Sequence, residues 1–451
     1  MRAMMPRRSG SRPSVQSVRR SALAHSRGAA GRRVRARQDP LPLLLWVVLV
    51  GSLASCVVDF ELFGFAVRGY IWVVTGFVAT IVALRRLDKA SLHYLVWAPW
   101  IILMLYYDLV ERYPNALQRT LLMICPVMVG LAASTLSVND DLIREFLRRC
   151  RQFAVALFVL SLAGAGVLFT LSLPSVTGLA PQAMTAALLA NVFAAEYALG
   201  RREALYYWLL MVALPFIGLT RTAMVAAAVT LPLTLAPLRP LKRAAFAAIV
   251  VVAGLAAFLT PRIQAKMFYS GHGDISDISL GNADFRTTGR EFAWEEMRNE
   301  IDAKPWFGHG ANAQEWFLEE LFGTLTQPHN DWLRLEFDYG YIGTGLFGAT
   351  LLAQALLAWT LGMKSSGPRK MLFLSGASAF VSFVLIMVTD NIILYAVYFG
   401  NLHFAIMGLA YAASRDELRG REHAERLDYA PRRFCAVAAQ RRGMAKGRPR
   451  G

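Results

Sequence analysis

The sequence predicts an all-α polytopic membrane protein, with about twelve transmembrane helices and one long loop on the outer face between helices 9 and 10. Three observations carry that expectation. Of the 451 residues, 55% are hydrophobic and only 18% charged, and the apolar residues come in runs near the ~20 needed to cross roughly 30 Å of hydrocarbon. The formal charge of +17 sits wholly in two polar ends: residues 1–38 hold 11 Lys/Arg and no acid, residues 415–451 hold 11 against 5 acids, and the body between is neutral. Such ends fit basic, disordered cytoplasmic tails facing anionic lipid better than a nucleic-acid-binding surface.

The apolar runs fall at 41–58, 69–84, 92–107, 117–136, 153–173, 179–199, 204–220, 222–238 and 244–260, then 340–361, 371–390 and 392–412. Leu53-Ala54-Ser55-Cys56 at the end of the first resembles a lipoprotein cleavage box, but the basic leader is too long for an ordinary signal peptide, so the segment reads as an uncleaved first transmembrane helix. The connections after runs 2, 4, 6, 8 and 10 contain Arg85-Arg86, Arg148-Arg149-Cys150-Arg151, Arg201-Arg202, Lys242-Arg243 and Arg369-Lys370. With the tails they hold 37 of the 48 Lys/Arg, which places both termini in the cytoplasm. The organisation expected is therefore 1–38 tail, 39–260 helices 1–9, 261–338 outer loop, 339–414 helices 10–12 and 415–451 tail. The four cysteines, Cys56, Cys125, Cys150 and Cys435, are too far apart for a disulfide framework or a CxxC metal site.

The loop 261–338 carries 14 acids and 7 bases, with Trp294, Trp306, Trp316 and Trp332, the composition of a folded amphipathic segment. Thr288-Gly289-Arg290-Glu291 reads as a capping box for a helix with Trp294, Met297 and Ile301 on one face, ended by Pro305. A second short helix is expected from Asn312 to Phe322, with Trp316, Phe317 and Leu321 facing bilayer or core, Glu315, Glu319 and Glu320 facing water, and Gly323 ending it.

Three features could carry chemistry. Arg221 falls in a tight turn between two apolar runs on the outer face, either snorkelling to the interface or gripping a phosphate with two parallel bonds. Arg286 and Arg290 stand at a helix start, a poor place for a cation unless it shares an anion with the free N–H groups there; pairing with Asp284 or Glu291 is the plainer alternative. Pro328-His329-Asn330 precedes the return of the chain into the membrane, where His329 is either a hydrogen-bonded structural residue or a base able to take a hydroxyl proton at neutral pH. His272 and His309 share the loop, but the spacings match no ligand pattern.

Together these residues resemble the O-antigen ligase and polymerase superfamily. The resemblance runs from Leu219-Thr220-Arg221-Thr222-Ala223, through Gly289-Arg290 and Trp294, to Lys304-Pro305-Trp306-Phe307-Gly308-His309-Gly310, and ends on His329-Asn330-Asp331-Trp332-Leu333 with Gly340 and Gly343. It covers roughly residues 200–350. Thr220 stands where the family usually has Ser, which keeps the hydroxyl. The resemblance implies a GT-C-like, metal-independent and cofactor-free inverting glycosyltransferase at the periplasmic face of a bacterial inner membrane. Its donor would be a glycan on undecaprenyl diphosphate, and its acceptor lipid A-core in a ligase or a lipid-linked repeat in a polymerase. Arg221 and Arg290 would hold the diphosphate, Arg286 and Asn330 would add to substrate binding, and His329 would be the general base. A retaining course would need a carboxylate nucleophile, for which Asp331 and Asp338 are nearest. Protein O-glycosylation and a twelve-span secondary transporter are the competing readings, the second weakened by a long outer loop after helix 9 and few ionisable residues inside the runs.

Overall fold

The computed structural model describes residues 41–418 apart from 59, 111–112, 171–178, 236–239, 280–281, 283, 287–289 and 324. The tails 1–38 and 419–451, Cys435 and the Thr288-Gly289 part of the expected capping box lie outside the described residues. Within them the chain is helical: α1 Leu43–Val57, α2 Val67–Arg85, α3 Ala98–Val110, α4 Ala116–Ser134, α5 Asp140–Thr170, α6 Ala180–Ala198, α7 Ala204–Ile217, α8 Arg221–Ala228, α9 Thr230–Leu235, α10 Pro240–Phe258, α11 Pro261–Met267, α12 Arg290–Ala303, α13 Ala313–Phe322, α14 Asp331–Lys364, α15 Gly367–Met387 and α16 Ala396–Leu418. Among the described residues, β pairing is limited to a ribbon, Glu61–Leu62 with Phe65–Ala66, and one bridge between Phe268 and Phe285.

Seven of the described helices are long and apolar enough to cross a membrane: α2, α3 with the turn before it, α4, α10, α14, α15 and α16. The apolar helices α1, α7 and the α8–α9 pair are shorter. α10 buries none of its residues although it is apolar from Ala244 onward, an arrangement that is stable only with hydrocarbon around it. At the other extreme α6, rich in alanine, is buried along almost its whole length. Small residues let neighbours approach, and polar side chains tie the helices together. Thr185 Oγ1 donates to the Tyr398 carbonyl at 2.8 Å, Asn191 Nδ2 to Ser382 Oγ at 2.9 Å, and Ser382 Oγ to the Ala226 carbonyl at 3.1 Å. Glu196, buried at the end of α6, is bound by Arg151 at 2.9 Å and Arg201 at 3.5 Å, an end-of-helix ion pair.

α14 is the element that joins membrane and loop. Its 34 residues would span ~51 Å as a straight helix, far more than the bilayer core. It breaks at Gly340 (φ 65°, ψ −173°), a backbone state open essentially to glycine alone. The groups freed there are taken by Pro305–Gly310: Tyr341 N–H donates to the Pro305 carbonyl at 2.7 Å and Ile342 N–H to Trp306 at 3.2 Å, while the N–H groups of His309 and Gly310 donate to Phe337 and Asp338 at 2.9 Å each. A Cβ on Gly340 would lie 2.4 Å from the Trp306 carbonyl, and one on Gly308 2.6 Å from that of Asp338. The short arm before the kink places Leu333 and Phe337 in a small core with Ala293, Trp294, Met297, Ile301, Ala313 and Leu318.

Candidate active site

The loop helices form where the sequence places them, α12 over Arg290–Ala303 and α13 over Ala313–Phe322 with Gly323 behind it in the left-handed region. One face of α13 differs from the expectation. Glu315 is not turned to water but grips Arg119 at the start of α4 through two bonds of 2.8 and 2.9 Å. Trp316 and Leu321 are 49% and 44% exposed while Leu318 is buried, so α13 packs on the loop core through Ala313 and Leu318, with Phe317 and Phe322 against it, and leaves Trp316 and Leu321 outward.

Arg221 begins α8 directly after a turn in which Leu219 takes a left-handed φ of 51°. Arg286 is held by the Phe268–Phe285 bridge, with its N–H donating to the Met267 carbonyl at 2.7 Å. This brings its carbonyl to Arg221, whose Nη2 donates to it at 3.4 Å. The Arg286 guanidinium lies 4.7 Å over the Tyr269 ring, and its buried Nε has no partner. The plainer alternative of an Asp284 pair is thereby set aside, because that carboxylate is occupied by Ser270 through bonds of 2.5 and 2.7 Å. Arg290 Nη1 donates to the Thr389 carbonyl at 3.2 Å, and the Thr389 hydroxyl bonds that of Thr222 beside Arg221. Lys266 of α11 completes the group: burial pushes its ammonium below the ordinary lysine value, and the charges of Arg221 and Arg262 push it further. Burial likewise lowers Arg290, opposed by the charge of Asp390. Arg221 thus lies close enough to both Arg290 and Lys266 for mutual repulsion, and Asp390 is the acid that answers Arg290. Mutual repulsion of this kind is relieved by a multivalent anion.

His329 meets the same stretch at Asp390 and Asn391. Its backbone is left-handed, φ 52°, a conformation that costs a non-glycine residue ~1–3 kcal/mol. Three neighbouring bonds hold it there. Trp294 Nε1 donates to the Pro328 carbonyl at 2.7 Å, Asn330 caps α14 by accepting from Leu333 N–H at 3.1 Å, and Asp331 Oδ2 accepts from Ile393 N–H at 2.8 Å. At ~0.5–1.5 kcal/mol net each, they offset the strain. The imidazole is 31% exposed, with Nδ1 3.5 Å from Asp390 Oδ1 and 3.3 Å from Asn391 Nδ2. These neighbours require opposite tautomers. A proton on Nδ1 facing Asp390 leaves the Nε2 lone pair free as a base, whereas accepting from Asn391 puts the proton on Nε2.

The remaining candidates are committed elsewhere. Asp338 is buried and accepts from the N–H groups of Asn312 and Gln314 at 3.2 and 2.9 Å, so both Asp331 and Asp338 are tethers of backbone. His309 bonds the Glu300 carbonyl at 3.0 Å and stacks on Phe337, and His272 bonds the Ser270 carbonyl at 3.1 Å. Among the described residues no group of three or more His, Cys, Asp or Glu side chains converges. Sequence reasoning missed Lys266, Thr389, Asp390 and Asn391. The signal available was a polar triplet, Thr389-Asp390-Asn391, between two long apolar runs, where an ionisable residue is costly unless it has a task.

Residues 206–348 match the family model described as O-Antigen ligase. The match holds Arg221, Arg286, Arg290, His329 and the Gly340 kink, and it bears out the resemblance seen in the sequence; Thr389-Asp390-Asn391 lies beyond it. No match was found among curated proteins.

Proposed function

We propose, from the premise that this chain carries an O-antigen ligase domain, that it is a ligase-like inverting glycosyltransferase moving a glycan from undecaprenyl diphosphate to a hydroxyl of lipid A-core. The observation that carries the reading is the stretch Thr389-Asp390-Asn391, which meets Arg290 at Thr389 and His329 at Asp390 and Asn391, with Arg221 close to Arg290, Lys266 and the Arg286 carbonyl. The cations hold the diphosphate and stabilise its charge as it departs, and His329 Nε2 takes the acceptor proton while Asp390 orients the ring. A diphosphate is already an activated leaving group, so one displacement suffices and inverts the anomeric centre. A retaining route would need a carboxylate nucleophile; Asp338 and Asp331 Oδ2 are taken by backbone N–H groups, and Asp390 is assigned here to orienting His329. Twelve spans, cytoplasmic termini, a periplasmic loop in the inner membrane and independence of metal belong to the same reading, as does a GT-C-like fold.

Joining of lipid-linked repeats by a polymerase is the second reading, because the cation group speaks for the donor and leaves the acceptor open. Gene deletion followed by a lipopolysaccharide gel decides between them: loss of all O-chain indicates the ligase, and a single capped repeat indicates the polymerase. With purified protein, transfer that survives excess chelator and yields the inverted linkage is the expected result. Restoration by magnesium or manganese after EDTA, or a retained linkage, would refute this mechanism.

A further inference from the structure

We infer that a cavity of about 330 Å³ adjoining His329 is the subsite for the acceptor sugar. The inference rests on the transferase reading above. The cavity is formed by the first turns of α2 and α4, by Gln327 just ahead of His329, and by the stretch from Asn391 to Tyr398. Its volume lies in the range of small-molecule sites. Arg221, Arg286, Arg290 and Lys266 do not line it, so it is a different place from the cation group. It reaches the chemistry through Asn391, whose Nδ2 is 3.3 Å from His329 Nδ1.

The lining names the ligand class. Gln118, Gln327 and Asn391 present amides, each a donor and an acceptor at once, the match for hydroxyls that are also both. Gln327 Nε2 and Oε1 and Asn391 Oδ1 are buried without partners, and Asn391 is only 1% exposed. Buried groups of this kind are costly unless something pairs with them. Trp72, Tyr395 and Tyr398 supply aromatic walls, which suit a ring that is apolar on its faces and polar at its edge. The charged side chains of this wall are Arg68 and Arg119. Arg119 is neutralised by its two bonds to Glu315, and Arg68 donates to the Ser55 carbonyl at 3.2 Å while lying 5.6 Å over the Tyr398 ring. A polyhydroxylated ligand fits the amides and the aromatic walls, one sugar hydroxyl turned toward His329.

The test uses the full-length protein in nanodiscs, titrated by calorimetry with core oligosaccharide released from lipid A and, separately, with undecaprenyl diphosphate. Gly69 lines the cavity, and a Cβ there meets nothing within 4 Å, so Gly69→Trp starts a bulky side chain from open space at the cavity wall and Gly69→Ala is the control. Gln327→Ala removes two of the unpartnered atoms with no added bulk. Both Gly69→Trp and Gln327→Ala should weaken oligosaccharide binding by about tenfold or more, the value of one or two hydrogen bonds, with undecaprenyl diphosphate binding and the Gly69→Ala control unchanged. In transfer assays the acceptor KM should rise and the donor KM hold. Equal oligosaccharide affinity in wild type and Gly69→Trp, or none in wild type, overturns the subsite, as does a loss confined to a glycan-bearing donor. Because the titrations need no turnover, an absence of transfer would sink the transferase reading alone and leave the subsite to be decided by binding.

Discussion

Nδ1 of His329 lies 3.5 Å from Oδ1 of Asp390, although the two belong to stretches separated by the whole of α14 and α15. In the proposed mechanism the carboxylate, rather than the Asn391 amide, sets the tautomer, the one whose Nε2 can accept a proton. His329→Ala should lower turnover by on the order of 10²–10⁴-fold with donor binding retained, because a general base acts in the transition state. Asp390→Asn keeps the shape and loses the selection, so it should fall by a comparable factor, with the greater part of the loss in kcat. Turnover and donor affinity measured side by side check this, and full activity in Asp390→Asn would remove its orienting role.

The arginines should respond to shape as well as charge. Arg221→Lys and Arg290→Lys retain a cation but lose the planar fork that grips a phosphate at two points. We expect each to fail almost as badly as the alanine variant, in both donor affinity and turnover, with expression level checked. Full activity in both lysine variants would reduce the arginines to unspecific positive charge.

The distribution of Lys and Arg sets the topology that this chemistry requires. Reporters fused near Gly273 and Gly323 should read periplasmic, and one at Ser365 cytoplasmic. A cytoplasmic reading at Gly323 would end the lipid-linked donor hypothesis.

Acid should loosen the α13 to α4 contact. Burial by itself raises the Glu315 carboxyl, but the hydrogen bond and charge of Arg119 outweigh it and hold the group below the ordinary glutamate value. A depressed carboxylate contributes stability that is present above its unfolded pKa and disappears as pH falls through the folded one. Thermal melts of the detergent-solubilised protein should therefore show wild type losing its advantage over Glu315→Gln as pH drops below about 4.5, the ordinary glutamate value. A constant difference down to pH 3 would remove the pair from the acid response.

Gly308 and Gly340 should tolerate no side chain. Their φ values are 70° and 65°, a cost of ~1–3 kcal/mol for any other residue, and at both a Cβ meets backbone of the other segment. Gly340→Ala and Gly308→Ala should each lower Tm in detergent, and the double variant should not recover it, since neither clash opens space for the other. A Tm unchanged in Gly340→Ala would show that the kink is not held as described.

What could be read in the sequence was local. Apolar runs marked the helices, Trp294, Met297 and Ile301 gave the buried face of α12, and the short turn before Arg221 gave a cation at the end of a hairpin. Pairings across the fold left no local trace. Glu315 looked like any acid on a polar helix face because Arg119 stands on another helix far back in the chain. Asp390 was absorbed as the last residue of an apolar run, since periodicity measures how a residue fits its neighbours in sequence and is blind to His329 arriving from elsewhere. The capping role of Asn330 was hidden for the opposite reason: the residue stands beside His329 in the motif, which drew attention to substrate binding and away from the helix start.

The bend in α14 is a bracket rather than a hinge. Four backbone hydrogen bonds to Pro305–Gly310 fix its angle, so the arm within the bilayer and the arm that begins at Asp331 turn together. Helices tilt to match the thickness of the lipid around them, and a rigid bracket carries that tilt to its far end, where Asn330 and His329 are seated. Under the proposed function, bilayer thickness would then be an input to the spacing between base and leaving group, delivered by the geometry of one helix.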